Sequence, residues 1–404
     1  IGAAGVAGVS GATSVTASTA GADTGEISFT GTNYNANAQT YVATLGNTLK
    51  VNAGAATSFV STADAIRFGN AADANGGTLM LADGSNLTVG SANGAINAFG
   101  GVRAHSAETV TMNAGTSTLS VGQIGGGGEV ASVALTAATT TLRGDITTAD
   151  VAGNNVSITG AVAIAGALTI DTKRTTNKGN ITITGASTGA GTALSLLGNT
   201  IATGGITTTG GANQAGGTVT INGTSSVTTG LITATGGAGG AGLAGRNAGN
   251  VSIAGVGGVT TGALTATGGA GGTGATLAGS AGAIAVNNSG TGNISTGALT
   301  ASTGAATATG TGGGVGSVSV DNTVTGGTVS VGAVTTTGGA KGNGGNVVIA
   351  SLGALTTTGT ITASGGAALG TMAGLNAGMV TLSGVSVTAG GAITANGSNG
   401  IGAG

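Results

Sequence analysis

From about residue 150 onward, branched apolar residues alternate with Thr or Ser in short runs that recur along the chain: GNNVSI at 153–158, GNITI at 179–183, GTVTI at 217–221, GNVSI at 249–253, GAIAV at 282–286, GSVSV at 316–320, GNVVI at 345–349 and GMVTL at 378–382. Their register residues Val156, Ile181, Val219, Val251, Ile284, Val318, Val347 and Val380 are spaced 25, 38, 32, 33, 34, 29 and 33 apart, a period near 32 with variable insertions. A fixed period of this length marks a repeat architecture.

A second pattern follows most of these runs, in GLITATG at 230–236, GALTATG at 262–268, GALTAS at 297–302, GAVTTTG at 332–338, GTITASG at 359–365 and GAITANG at 391–397. Between the two lies a shorter third, SVTTG at 226–230, GVTTG at 258–262, NISTG at 293–297, TVSVG at 328–332 and LTTTG at 355–359. Period-2 alternation puts the branched apolar residue on one face of a strand and Thr or Ser on the other. Three such strands, turned by Gly and Asn, predict one coil of a parallel β-helix, an all-β solenoid with Gly-rich loops such as 236–250 and 338–346.

Residues 1–150 read as a less regular N-terminal solenoid region that can include a cap, and 151–404 as regular solenoid repeats. Patches such as EISFTG at 26–31, TLMLADGSNLTVG at 78–90, ETVTMNAG at 108–115 and TLSVG at 118–122 carry the same alternation in the first region. All six aromatic residues, Phe29, Tyr34, Tyr41, Phe59, Phe68 and Phe99, fall there, and after Lys178 only Arg246, Asp321 and Lys341 are charged.

Composition narrows the class. Of 404 residues 89 are Gly, with no Pro, Cys or Trp, so a conventional aromatic-rich enzyme core is not expected. Collagen would need Gly at every third position with Pro, and linkers lack the recurring Val, Ile and Leu. Nine basic against eleven acidic side chains give no basic track for nucleic acid, and no apolar run reaches the length of a transmembrane helix. The chain opens at Ile1 without a cationic leader, a start compatible with secretion.

The strings LTIDTKRTTNKGNITITG at 168–185 and GALTTTGTITASGG at 353–366 resemble the secreted bacterial surface proteins of the filamentous-haemagglutinin and β-strand-repeat type. The resemblance is one of repeat grammar over most of the chain. It implies a right-handed parallel β-helix, export to the cell surface, and a role in adhesion, biofilm matrix or fibres.

Candidate chemistry is sparse. Enzymes on β-helices cluster Asp, Lys or Arg on neighbouring coils. The densest charged stretch here, Arg143, Asp145, Asp150, Asp171, Lys173, Arg174 and Lys178, reads as solvated turns, and His105, the sole histidine, as a surface residue. No catalytic, metal or cofactor site is expected; loose G-x-G-x-x-G matches arise from composition alone. The one ordered outward feature is a threonine ladder in the second pattern, with Thr207, Thr209, Thr233, Thr235, Thr265, Thr267, Thr300, Thr335, Thr337, Thr362 and Thr394 in two columns, interrupted by Ser302, Ser364 and Asn396. Such T-x-T arrays resemble those of β-solenoid ice-binding proteins, although Thr is also the ordinary polar choice for an exposed strand.

These observations lead to the expectation of a non-enzymatic extracellular fibre that assembles with itself. The sequence stops at GAITANGSNGIGAG, directly after a regular strand, where an uncapped coil would accept a strand of the next molecule and propagate head to tail. The alternatives are a passenger fragment of a large anchored adhesin, which would bind a cell surface or polysaccharide, and an ice-binding protein.

Overall fold

The computed structural model describes residues 12–17, 26–43, 48–70, 77–105, 108–172, 174–274, 277–306, 312–340, 342–367 and 375–398. Every regular element among them is a β-strand, and the sheets are parallel. The chain divides into two compact units, Ile1–Ser187 with Leu197–Asn199, and Thr188–Leu196 with Thr200–Gly404. Each is a parallel β-solenoid whose coils contain up to three short strands, called faces A, B and C in chain order.

In the first unit, face A stacks Glu26–Phe29, Thr48–Val51, Thr78–Leu81 and Val102–Arg103. Face B stacks Asn33–Asn35, Thr57–Ser61, Leu87–Ser91 and Thr109–Asn113, and face C stacks Gln39–Ala43, Ile66–Phe68, Ile96–Ala98 and Thr118–Val121. Beyond these, faces B and C run together as the long strands Ser132–Leu142 and Val156–Ile164, with a register shift between Thr136 and Thr139.

Register places like on like. On face C, Ile66, Ile96 and Leu119 form one inward column and Phe68, Ala98 and Val121 the next, all fully buried. Five of the six aromatics, Phe29, Tyr34, Tyr41, Phe59 and Phe68, make one cluster of edge-on and stacked rings 4.7–5.7 Å apart. Aromatic pairs in these geometries add to their area burial. Inside this cluster the Tyr41 hydroxyl donates to Gln39 Oε1, and Gln39 Nε2 donates to the carbonyls of Tyr34 and Val60. The buried polar groups are thereby satisfied.

The eight recurring strings from 153–158 to 378–382 occupy different faces. Val156 pairs with Val133 and Ile181 with Val156 on face B of the first unit. Val219, Val251, Ile284, Val318, Val347 and Val380 form a column on face A of the second. The step of 38 residues from Ile181 to Val219 is therefore a change of face, and a single period does not run through all eight strings. Alternation fixes which side of a strand is apolar; it does not say which of three similar faces the strand joins.

In the second unit, face A stacks Val219–Gly223, Val251–Gly255, Ile284–Asn288, Val318–Asn322, Val347–Ser351 and Val380–Ser383. Face B stacks Ile201–Thr203, Val227–Thr229, Val259–Thr261, Ile294–Thr296, Val329–Val331, Ala354–Thr357 and Ser386–Ala389. Face C holds two-residue strands from Ile206–Thr207 to Ile393–Thr394. The core is lined by Val, Ile, Leu and Ala, side chains small enough for narrow coils.

The Gly-rich segments between face C and the next face A are hydrogen-bonded arms. The N–H groups of Gly239, Gly242, Gly245 and Ala248 donate to the carbonyls of Ala270, Thr273, Leu277 and Ser280 in the following coil. Asn side chains add a second set of ties: Asn247 Oδ1 accepts from Ser280 N–H and Asn250 Oδ1 from Ala283 N–H, both at 2.9 Å. Asn343 and Asn346 repeat the arrangement with Asn376 and Met379 at 3.0 and 2.9 Å.

Candidate functional site

Face C of the second unit carries the threonine ladder. Its inward positions are Ile206, Ile232, Leu264, Leu299, Val334 and Ile361, each fully buried, followed two residues on by Thr208, Ala234, Ala266, Ala301, Thr336 and Ala363, also fully buried. Thr208 and Thr336 satisfy their inward hydroxyls by donating to the Gly217 and Gly345 carbonyls at 2.6 Å. With these side chains inside, alternation turns the intervening residues outward.

Thr207, Thr233, Thr265, Thr300, Thr335, Thr362 and Thr394 pair in unbroken register, one per coil. Each is half-buried along the column. The second column, Thr209, Thr235, Thr267, Ser302, Thr337, Ser364 and Asn396, continues the backbone ladder: Gly210 N–H donates to Thr235 O, Gly236 to Thr267 O, Gly268 to Ser302 O, Thr303 to Thr337 O, Gly338 to Ser364 O and Gly365 to Asn396 O. Neighbours stand about 7 Å apart along a strand and about 4.8 Å apart between coils.

The two columns differ in chemistry. Ser302 Oγ accepts from Thr337 N–H at 3.2 Å and Ser364 Oγ from Asn396 N–H at 3.4 Å. Those hydroxyls turn back onto the ladder, and the γ-methyl of Thr is missing there. The first column is therefore the regular one: seven Thr side chains, each offering a methyl and a hydroxyl, with no charge among them.

The charged residues singled out in the sequence do not converge. Asp145 Oδ1 accepts from Thr169 N–H at 2.7 Å, and Asp150 accepts from Thr176 and Asn177 N–H groups. The Asn177 N–H, then the Thr176 N–H, hold the Asp150 carboxyl below its ordinary range. Arg174 pairs with Glu129 and donates to Thr148 O. His105 is exposed and gives its backbone N–H to Glu108 Oε2, while Glu108 Oε1 accepts from Gly84 N–H. Each acts as a tie between coils or across a turn. Lys173 and Lys341 lie outside the described residues. Among the described residues no group of three or more His, Cys, Asp or Glu could hold a metal ion, and no helix is long and apolar enough to cross a membrane.

Sequence reasoning placed the outward Thr positions but passed over Phe99, grouped with the other aromatics. Phe99 lies outside the aromatic cluster, half-buried at the end of face C, with Arg67 and Arg143 over its ring. The available signal was local: in NAFGG the ring follows Ala98, an inward residue, so alternation turns it outward.

No family model, curated protein or solved structure matches this chain.

Proposed function

We propose that this chain is a non-catalytic structural protein of the cell exterior, a β-solenoid that builds a fibre by head-to-tail stacking of its coils, in cell-surface adhesion or biofilm matrix. The observation that carries the reading is the continuity of the face A and Thr columns from coil to coil in the second unit. The Asn250–Ala283 and Asn346–Met379 ties recur at the same distance and the same 33-residue offset, beside an unbroken Thr column and face A column. A contact whose upper and lower surfaces complement each other at every coil is heterologous, and between molecules such contacts extend without closing. Repetition also makes stability accumulate with coil number, which suits a fibre. The placement outside the cell follows the resemblance in repeat grammar to secreted surface proteins.

Negative-stain electron microscopy of the protein isolated from its source, with denatured mass on the same sample, tests this. Uniform filaments built from a chain of about the present length are expected, and isolated monomers would overturn the proposal. A much longer denatured chain would instead favour a passenger segment of an anchored adhesin.

The register of the Thr column favours a second reading, binding to ice. An uncharged, in-register column of methyls and hydroxyls presents a periodic surface of the kind such binding uses. Ice-shaping by the wild type that disappears in Thr265→Tyr would support it, and a wild type without any effect removes it.

A further inference from the structure

The strongest unassigned feature lies on the first unit, on the outer side of face C. Phe99 directly follows the inward Ala98, and the residues following the equivalent inward positions, Phe68 and Val121, are Gly69 and Gly122. The ring thus has a side-chain-free position on either side along the stack. A Cβ at Gly122 would meet Phe99 O at 2.4 Å, so that position does not admit a larger residue without backbone movement.

Two arginines occupy the space. Arg67, one coil before, sets its guanidinium carbon 5.5 Å from the ring centroid, and Arg143, two coils after, sets its own at 5.3 Å. Guanidinium over an aromatic face is attractive and braces both groups. Further bonds fix them: Arg67 Nε donates to Gly69 O at 3.0 Å and Nη2 to Asn70 Oδ1 at 3.1 Å, and Arg143 Nε donates to Ser120 Oγ at 2.9 Å. Among the described residues the one ion pair is Arg174–Glu129, and no described carboxylate pairs with either of these guanidiniums. Arg143 is exposed and keeps both Nη groups for a ligand.

A guanidinium fork held in place, with no ion pair to a described residue, matches the planar, bidentate geometry of a carboxylate. Two of them, separated by a ring along the stacking direction, fit a polymer that carries carboxylates at intervals. The adjoining outward row, Thr40, Asn97, Ser120 and Thr141, supplies hydroxyl and amide groups of the kind that pair with sugar hydroxyls. Nucleic acid and anionic membranes draw their affinity from many cations, whereas this patch has two on a chain of net charge −2.

We propose that Arg67, Phe99 and Arg143 form a binding site for the carboxylates of an acidic polysaccharide laid along the coils. The site works in a single molecule and is independent of fibre formation.

Affinity electrophoresis of the full chain through polygalacturonate, beside fully methyl-esterified polygalacturonate and duplex DNA, tests the proposal. Retention by the acidic polymer alone, weakening with salt, is expected; Arg143→Gln should lower affinity at least about tenfold, and R67Q/R143Q should abolish retention while its circular dichroism remains that of a folded β-protein. Arg143→Lys, which keeps the charge and loses the fork, should fall between wild type and Arg143→Gln whether or not the double variant folds. Equal retention of wild type and variants, equal retention by the esterified polymer, tighter binding to DNA, or no retention of the wild type at low salt would each overturn it.

Discussion

A Cβ placed on Gly282 would stand 2.1 Å from the carbonyl oxygen of Gly249 in the preceding coil. The same approach recurs between Gly217 and Gly249, Gly282 and Gly316, Gly316 and Gly345, and Gly345 and Gly378, at 2.0–2.1 Å. Glycine here permits neighbouring backbones to touch at the entry to face A. Gly282→Ala must therefore push two coils apart and should cost about 1–3 kcal/mol, in the range of overpacked cores. Gly166→Ala, whose Cβ would meet nothing within 4 Å, should stay within about 0.5 kcal/mol of wild type. Chemical denaturation would measure both, with hydrogen exchange read at the coils around Gly282 for the first variant and around Gly166 for the second.

Asn288 and Asn322 are buried at the end of face A in successive coils, with Asn288 Nδ2 3.4 Å from Asn322 Oδ1. Asn322 Nδ2 also donates to Thr328 O at 3.1 Å, and its Oδ1 accepts from Val324 N–H at 3.2 Å. Asn322→Ala leaves the Val324 N–H without its partner in the turn and removes one of two donors to Thr328 O, the other being the Ile294 N–H. A loss of about 1–3 kcal/mol is expected, with faster exchange at Val324 as the local readout.

Tyr41 gives the first unit an alkaline limit. Burial, and secondarily Tyr34, raises its pKa from 10.0 to about 12. A raised phenol is stabilised in its neutral form, so the contribution is complete below 10.0 and disappears as pH rises through about 12. In a Tyr34→Phe variant, where Tyr41 is the remaining tyrosine, tyrosinate absorbance should emerge above the ordinary phenol range and together with loss of near-ultraviolet dichroism. Ionisation at the ordinary value would contradict the burial.

Asp150 acts at the opposite end of the scale. Its folded pKa lies below 3.8 because the Asn177 and Thr176 N–H groups favour the carboxylate. The contribution is present above the unfolded value and is lost as pH falls through the depressed folded value. Asp150→Ala should therefore speed amide exchange at Thr176 and Asn177 at neutral pH, and acidification should do the same to wild type. Equal exchange in both proteins at neutral pH would rule out the tie.

Much of this molecule can be read locally. The alternation in VTI, VSI and LTA placed Val219, Val251 and Leu264 inside and Thr265 outside, and the structure has them there. That follows because strand period is a property of two successive residues and the solvent, independent of what the strand pairs with. The Thr column was legible for the same reason. The Gly-rich stretches, by contrast, read as loops, since repeated Gly carries no alternation. Their hydrogen bonds are made with the coil above and become visible only when Gly239 is placed against Ala270.

The sequence by itself determined the all-β solenoid, the three-strand coil of the second unit and the inward sense of apolar strand residues such as Val219, Val251 and Leu264, because these depend on alternation at neighbouring positions. Tertiary structure alone decided that Val156 and Ile181 lie on face B while Val219 lies on face A, and that Arg67 and Arg143 close over Phe99. The physical reason is the same in both cases. Which coil a residue meets depends on how many residues each turn consumes, and variable turns hide that sum until the chain is wound.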